Sequence, residues 1–367
     1  MKRTAQSTIE RPKTLLVGIN APYNKTANIH SYYDEFLSLA KTNGVEYEDV
    51  VYIKLRDIDP ATFLTEGKLL QLKQRCDELG IEEVIFSEPL TPQQERNLTD
   101  YLECSVHDRT YLILEIFEKA AITAEGKTQV AIAKLQYEKT RLAGKGKELA
   151  QQVGAIGVRS GAGEKLIEKE RRVIDHQIQK FKKQLEILHK ARETQRKRRL
   201  KTEIPLLCLI GYTNAGKSTI LNALTKSDVL AEDKLFATLD TTTRELYVDR
   251  TKVGLLSDTV GFIQMLPPRL VEAFKSTLSE LQYADLLVHV VDISDPNWEE
   301  HIKVVHEVLE DLDVEKPMLY VFNKVDQIEM TPKIEAALEL YQPHVLVSAL
   351  SKKDLQPLRN YLLHWEK

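Results

Sequence analysis

Cysteine, tryptophan and long apolar runs are scarce in this sequence. Its three cysteines, Cys76, Cys104 and Cys208, lie far apart and form no C-x-x-C pair. That excludes a disulfide framework and a cysteine zinc site, and it fits a reducing, cytoplasmic setting. The longest apolar runs, such as Leu206–Ile210 and Leu286–Val291, are strand-length, well short of the roughly 18 residues of a membrane helix. No stable membrane insertion is expected. No apolar core follows the basic start Met1-Lys2-Arg3, so no secretory signal is expected either. Fifteen glycines and thirteen prolines in 367 residues, beside 43% hydrophobic and 29% charged residues, exclude collagen-like and wholly disordered classes. At roughly 100–200 residues per domain, the length predicts two or three domains, each able to bury a core.

The formal net charge of −4 hides a division. Residues 1–133 hold 15 Lys/Arg against 21 Asp/Glu, a net of −6; residues 134–201 hold 20 against 8, a net of +12; residues 202–367 hold 16 against 26, a net of −10. A basic middle between two acidic ends points to an acidic partner such as nucleic acid. A solvated helix face is the plainer explanation, since Lys and Arg are good helix formers.

Hydrophobic patterning predicts an α/β protein of three parts. Residues 1–125 alternate the strand-length runs Leu15–Ile19, Val50–Ile53 and Val84–Phe86 with helical stretches Ile29–Lys41, Gly67–Leu79, Pro92–Leu102 and Leu112–Ala120. This is the pattern of a small parallel-sheet domain. It shows no G-x-G-x-x-G after its first strand, and the cluster His107-Asp108-Arg109 reads as a helix cap. Residues 126–201 read as a basic, coiled-coil-like helical hairpin, Gly126–Leu142 and Glu164 to about Leu200, around a glycine-rich tip. In the second helix Ile174, Ile178, Phe181, Leu185 and Leu188 recur at spacings of four and three, the mark of a packed seam. Arg196-Lys197-Arg198-Arg199 closes the segment. Residues 202–367 return to strands (Leu206–Ile210, Leu246–Asp249, Val253–Ser257, Leu286–Val291, Met318–Phe322, Val345–Val347) and intervening helices, including Lys217–Thr225, Leu270–Gln282, Trp298–Leu309, Lys333–Tyr341 and Leu355–Trp365. That alternation predicts a doubly wound sheet.

The chemistry is carried by this last part. Gly211-Tyr212-Thr213-Asn214-Ala215-Gly216-Lys217-Ser218, followed by Thr219, fits G-x-x-x-x-G-K-[ST] between a strand and a helix. Its glycines let backbone N–H groups approach phosphate oxygens, Lys217 would reach the β- and γ-phosphates, and the Ser218 hydroxyl would ligate Mg²⁺. Asp258-Thr259-Val260-Gly261 ends the next long β-rich run. There Asp258 would act on Mg²⁺ and the Gly261 N–H would face the γ-phosphate. Asn323-Lys324-Val325-Asp326 follows another apolar strand, and a carboxylate at 326 can accept from guanine N1 and N2. Ser348-Ala349-Leu350, after the last strand, can back the base with a backbone N–H. Four elements in this order, each at a strand end, predict a GTPase domain. Between P-loop and sensor, Phe236-Ala237-Thr238-Leu239-Asp240-Thr241-Thr242-Thr243 offers four threonines that could close over Mg²⁺, and spacing alone does not choose among them. Position 262 is Phe, where Ras-like enzymes place the glutamine that orients the attacking water. Asn214 suggests a K⁺ beside the phosphates to neutralise developing charge, the plain alternative being a loop brace.

At these residues, and at Asp108-Arg109-Thr110 and Gly161-Ala162-Gly163-Glu164, the chain resembles the HflX family of ribosome-associated GTPases, within the TRAFAC class of P-loop GTPases. The resemblance implies an N-terminal nucleotide-binding-like domain, a helical hairpin and a G domain that hydrolyses GTP with Mg²⁺. By that likeness Thr238 is the favoured Mg²⁺ threonine, beside the candidate catalytic groups Lys217, Gly261 and Asn214. The likeness also implies a monomer that docks through residues 134–201 on the large ribosomal subunit and its rRNA, to split, rescue or recycle ribosomes. The sequence departs from the family's usual pattern at Ala162, Lys165, Leu166, Ile167 and Thr241. The competing expectations are a GTP-dependent switch that docks a protein or membrane partner through its helical segment, and RNA remodelling by a second nucleotide site in the N-terminal domain.

Overall fold

Apolar runs without alternation become strands buried on both faces, and they set the centre of each sheet. The computed structural model describes residues 11–142 (except 25 and 27), 162–200, 204–225, 235–265 (except 237, 238, 240, 241 and 250), 267 and 278–365 (except 352). The chain divides into two compact units. One comprises residues up to Glu115 with Thr140–Glu168; the other comprises Ile116–Lys139 with Lys169–Lys367.

In the first unit, β1 (Thr14–Asn20), α1 (Ile29–Asn43), β2 (Tyr47–Lys54), α2 (Glu66–Leu79), β3 (Glu83–Phe86), α3 (Pro92–Leu102) and β4 (Ser105–His107) follow one another. The sheet is parallel throughout, in the order β2-β1-β3-β4. Leu15, Leu16, Val17 and Ile19 of β1 are fully buried. The helix ends follow local chemistry. Asn28 caps α1, and Thr91 with Gln94 forms a capping box ahead of Pro92. β4 has three residues and no periodicity to announce it. Helix α4 (Arg109–Ala120) starts at Asp108, whose Oδ1 accepts the Tyr111 N–H at 2.9 Å, the capping role expected of that cluster. The second oxygen of Asp108 accepts from the Leu90 N–H and from the Arg141 guanidinium. All three cysteines are buried and none forms a disulfide.

The helical hairpin consists of α5 (Ala124–Arg141) and α6 (Ala162–Leu200). Glu125 faces His189 and Lys139 pairs with Asp175, a spacing of fourteen residues on both helices that fixes an antiparallel register. The expected seam is the least exposed stripe of α6, with Ile178 buried and Ile174, Phe181, Leu185 and Leu188 half-buried. The glycine-rich tip lies outside the described residues.

The second sheet is built from β5 (Leu206–Ile210), β6 (Thr242–Val248), β7 (Thr251–Asp258), β8 (Leu286–Asp292), β9 (Met318–Asn323) and β10 (His344–Leu346), with α7 (Lys217–Thr225), α8 (Trp298–Asp311), α9 (Pro332–Leu338) and α10 (Gln356–His364) between them. Its order is β10-β9-β8-β5-β7-β6, parallel except for the β6–β7 hairpin. Both predicted sheets and the doubly wound G domain are thus observed. Of the expected helix Leu270–Gln282, residues 270–277 lie outside the described residues, and Ser279–Tyr283 forms a 3₁₀ turn. Among the described residues no helix is long and apolar enough to cross a membrane.

Candidate functional site

The second sheet reverses its winding at β5, and the chain leaves that strand's carboxyl end through Gly211 directly into the loop that opens α7. This is where doubly wound sheets place ligands. Gly216 has φ +94°, and a Cβ there would lie 2.3 Å from the Asn323 side-chain nitrogen. Only glycine lets the loop curl this tightly against β9. Lys217 is buried, and its ammonium donates to the carbonyl oxygens of Gly211 (3.1 Å) and Tyr212 (2.7 Å) across the mouth of the loop. Burial pushes its pKa down to about 8, against the opposing attraction of Asp258. The cation is poised for an anion that would restore its charge.

Asp258, at the end of β7, is fully buried; the Ser218 hydroxyl donates to its Oδ2 at 2.6 Å and the Thr259 N–H to its Oδ1 at 3.0 Å. A hydroxyl and a carboxylate side by side at the start of α7 are hard oxygen donors. They fit Mg²⁺, which keeps most of its water and takes one or two protein oxygens plus phosphates. Among the described residues no group of three or more His, Cys, Asp or Glu gathers as an all-protein metal cage. The Thr259 hydroxyl donates to the Leu209 carbonyl at 2.6 Å and ties the end of β7 to β5.

The loop that follows Asp258 is laced to the P-loop. The Phe262 N–H donates to the Gly211 carbonyl at 3.2 Å, and the Thr213 N–H donates to the Phe262 carbonyl at 2.8 Å. Gly261 sits inside that lacing, where an added Cβ would meet Thr213 Cγ2 at 2.8 Å, Thr213 Cα at 2.9 Å and Lys217 Nζ at 3.0 Å. The Phe262 ring is 2% exposed. It is a core residue and presents no polar group to water, as expected from the sequence.

At the other end of the site, the Asn323 side chain donates to the Ala215 carbonyl (2.9 Å) and accepts from the Ala349 N–H (2.9 Å). One asparagine therefore joins the P-loop, β9 and the 348–350 turn. Lys324 adopts φ +65° and its ammonium pairs with Asp292 at 2.6 Å. Asp326 is exposed in the 3₁₀ turn that follows, Ser348 is buried, and Leu350 is 80% exposed. In the 348–350 turn, expected to offer a backbone N–H behind the base, the Ala349 N–H donates to Asn323.

Asn214 is exposed at φ +61°. Val260 is 7% exposed and Ala215 1%; both shape the cradle through their backbone. Thr219 is half-buried in the first turn of α7. Phe236 is buried, with its ring edge-on to Phe117 at 4.7 Å between centroids, and Leu239 is 2% exposed. Ala237, Thr238, Asp240 and Thr241 lie outside the described residues. The structure thus joins the P-loop, residues 258–261 and the 323–326 turn at one edge of one sheet.

Two contributors carry no motif. The Tyr212 hydroxyl accepts the Gln264 N–H at 2.8 Å while its ring stacks on His301, 3.8 Å between centroids and 7° between planes. Asp292 fixes Lys324, and its signal was in principle readable: it ends β8 in register with Asn323.

Comparison with known proteins agrees along the chain. Three family models match in succession: a GTP-binding GTPase N-terminal model over residues 30–118, a GTP-binding GTPase middle region over 120–199, and a 50S ribosome-binding GTPase model over 206–324. The GTPase HflX of Caldanaerobacter subterraneus is 47% identical over 300 residues, 82% of this chain and 70% of that protein. The GTPase HflX of Magnetococcus marinus is 44% identical over 90% of this chain and 76% of its own length. That of Escherichia coli is 43% identical over 86% and 74%. The crystal structure of an SsGBP–GDP complex superposes with a TM-score of 0.51 at 24% identity, covering 96% of this chain and 97% of that one, a likeness of fold alone. With its P-loop, residues 258–261 and 323–326 turn at one sheet edge, and with this identity across most of its length, the chain belongs to the HflX family of GTPases and is a GTP-hydrolysing enzyme.

Proposed function

We propose that this enzyme is a ribosome-binding factor that docks on the large subunit when GTP is bound, and that hydrolysis times its release in splitting, rescue or recycling of ribosomes. The observation that carries the reading is the +12 charge of residues 134–201, placed on a hairpin whose register is fixed and whose α6 is largely exposed between Glu168 and Lys190. The match of residues 206–324 to a 50S ribosome-binding GTPase model supports the same partner. A cationic hairpin neutralises rRNA phosphates, so affinity should fall by powers of ten over a modest salt range.

Within the site, Lys217 and the loop amides take the β- and γ-phosphates, Ser218 and Asp258 hold Mg²⁺, and the Gly261 N–H senses the γ-phosphate. Asp326 accepts from guanine N1 and N2. Thr238 completes the metal site when GTP is present. Mg²⁺ supplies neutralisation of charge on the phosphates. Asn214 positions K⁺ beside them, and equal GTP turnover in KCl and NaCl would remove that assignment. The protein acts as a monomer, which sedimentation equilibrium tests directly. Its ribosomal role is tested by co-sedimentation with large subunits: pelleting with a non-hydrolysable GTP analogue and loss of pelleting with GDP support it. Absence of pelleting at low salt in every nucleotide state contradicts it.

A further inference from the structure

The P-loop holds one polar group that none of the roles above uses. Thr213 is 6% exposed, and its side-chain hydroxyl is buried with no hydrogen-bond partner among the described residues. Burying a hydroxyl without a partner is unfavourable, and such a group calls for a reason. Its surroundings supply one. The backbone of Thr213 is fixed, because its N–H donates to the Phe262 carbonyl at 2.8 Å. Its Cγ2 and Cα stand 2.8 and 2.9 Å from the point a Gly261 Cβ would occupy, and the Lys217 ammonium stands 3.0 Å from that same point. The Lys217 ammonium and the methyl and backbone of Thr213 therefore meet at Gly261, and the unsatisfied hydroxyl sits on that same side chain. Phe262, the residue after the sensor glycine, turns its ring into the core and leaves no polar group there.

We propose that the Thr213 hydroxyl is a catalytic group of GTP hydrolysis, accepting a hydrogen bond from the attacking water and donating one to a γ-phosphate oxygen. The water oxygen bonds to the γ-phosphorus as the bond to the β–γ bridging oxygen breaks. The water proton passes to a phosphate oxygen, and GDP and orthophosphate leave. Thr213 gains and loses no proton: its hydroxyl is both donor and acceptor, and it holds the water in line with the bond that breaks. The inference rests on residues 211–218 being the phosphate cradle.

Threonine can be separated into its two halves. T213V keeps the methyl group and the branched shape while removing the hydroxyl; T213S keeps the hydroxyl. Single-turnover hydrolysis of GTP and equilibrium affinity for GDP are measured on the full chain. T213V should slow hydrolysis about tenfold or more, the scale of one hydrogen bond lost in the transition state, while GDP affinity stays within about twofold of the parent, because GDP lacks the γ-phosphate. T213S should recover most of the rate that T213V loses. Hydrolysis by T213V at the parental rate overturns the proposal. So does a loss of GDP affinity as large as the loss of rate, which marks a structural role. If the parent chain itself binds no guanine nucleotide, the cradle reading falls and this one with it. If the parent binds and hydrolyses GTP while T213V keeps pace, only the role of Thr213 falls.

Discussion

Both sheets of this protein run parallel around their centres, and both present strand tips where α/β folds place ligands, yet the two sets of tips are put to opposite use. In the first unit the winding reverses between β1 and β3. Side chains fill that place: Tyr32 donates to the Ser87 carbonyl, Tyr23 donates to Glu88, and the Arg109 guanidinium pairs with Glu35 while lying 4.9 Å from the Tyr32 ring centre. Arg109, Tyr32, Ser87 and Glu88 have no exposed surface. In the second unit the tip of β5 runs into the 211–216 loop, with the buried Lys217 ammonium held on the carbonyls of Gly211 and Tyr212. The difference starts in the residues after each first strand. Ala21-Pro22-Tyr23 offers a proline without an N–H and a bulky ring; Gly211-Tyr212-Thr213 offers a glycine at φ +144°, where an added Cβ would lie 2.2 Å from the Val290 carbonyl oxygen. Architecture alone therefore assigns no site, and the residues at the tips decide.

The sharpest way to break this comparison is to mutate one cation on each side. Arg109→Ala removes the guanidinium paired with buried Glu35 and should lower the stability of the first unit by about 3–5 kcal/mol, read as an earlier urea transition. A change below about 1 kcal/mol would mean that the tip is not packed as described. Lys217→Ala should do the reverse. GTP turnover falls on the order of 10²- to 10³-fold for a lost phosphate-stabilising donor, while the urea midpoint holds or rises, because a buried ammonium has been removed. Gly216→Ala is the next step down. Its Cβ would strike the Asn323 side chain, disturbing the bonds to Ala215 and Ala349, and GDP affinity should fall about tenfold.

The smallest effect is in pH. Burial holds the free Lys217 pKa at about 8, and bound phosphates favour its ammonium form, so the nucleotide complex titrates higher. Between those two values binding takes up a proton, and nucleotide affinity falls as pH rises, by at most tenfold per unit. Well below pH 8 this group contributes little slope. Calorimetry of GDP binding in two buffers of different ionisation enthalpy should show proton uptake at pH 8.5 and little at pH 7.

What the sequence disclosed and what it hid follow the same physical divide. The P-loop, Asp258–Gly261 and Asn323–Asp326 were legible because each is a short run whose spacing is set by a strand end, and the structure gathers all three. The α6 seam was legible through its period. Hidden were features made by residues distant in the chain. β4 exists because β3 offers it an edge, and the stack of Tyr212 on His301 depends on how α8 packs. Arg109 read as part of a helix cap. Asp108 does cap α4, but the complete burial of Arg109 against Glu35 is a tertiary fact with no local trace. The Thr213 hydroxyl was equally silent: its sequence position is an unconstrained one in the P-loop pattern, and only its burial singles it out.

The central claim, a GTP-gated factor held to the ribosome by a basic hairpin, is tested most directly by one pelleting series. Large ribosomal subunits are sedimented with the parent chain and with a charge-reversal variant of Arg196, Lys197, Arg198 and Arg199, across a salt range, with a non-hydrolysable GTP analogue or GDP. Salt-sensitive pelleting of the parent is expected with the GTP analogue, markedly weaker pelleting with GDP, and weaker pelleting of the variant despite unchanged GTP binding. Equal pelleting of both proteins in both nucleotide states would contradict the claim.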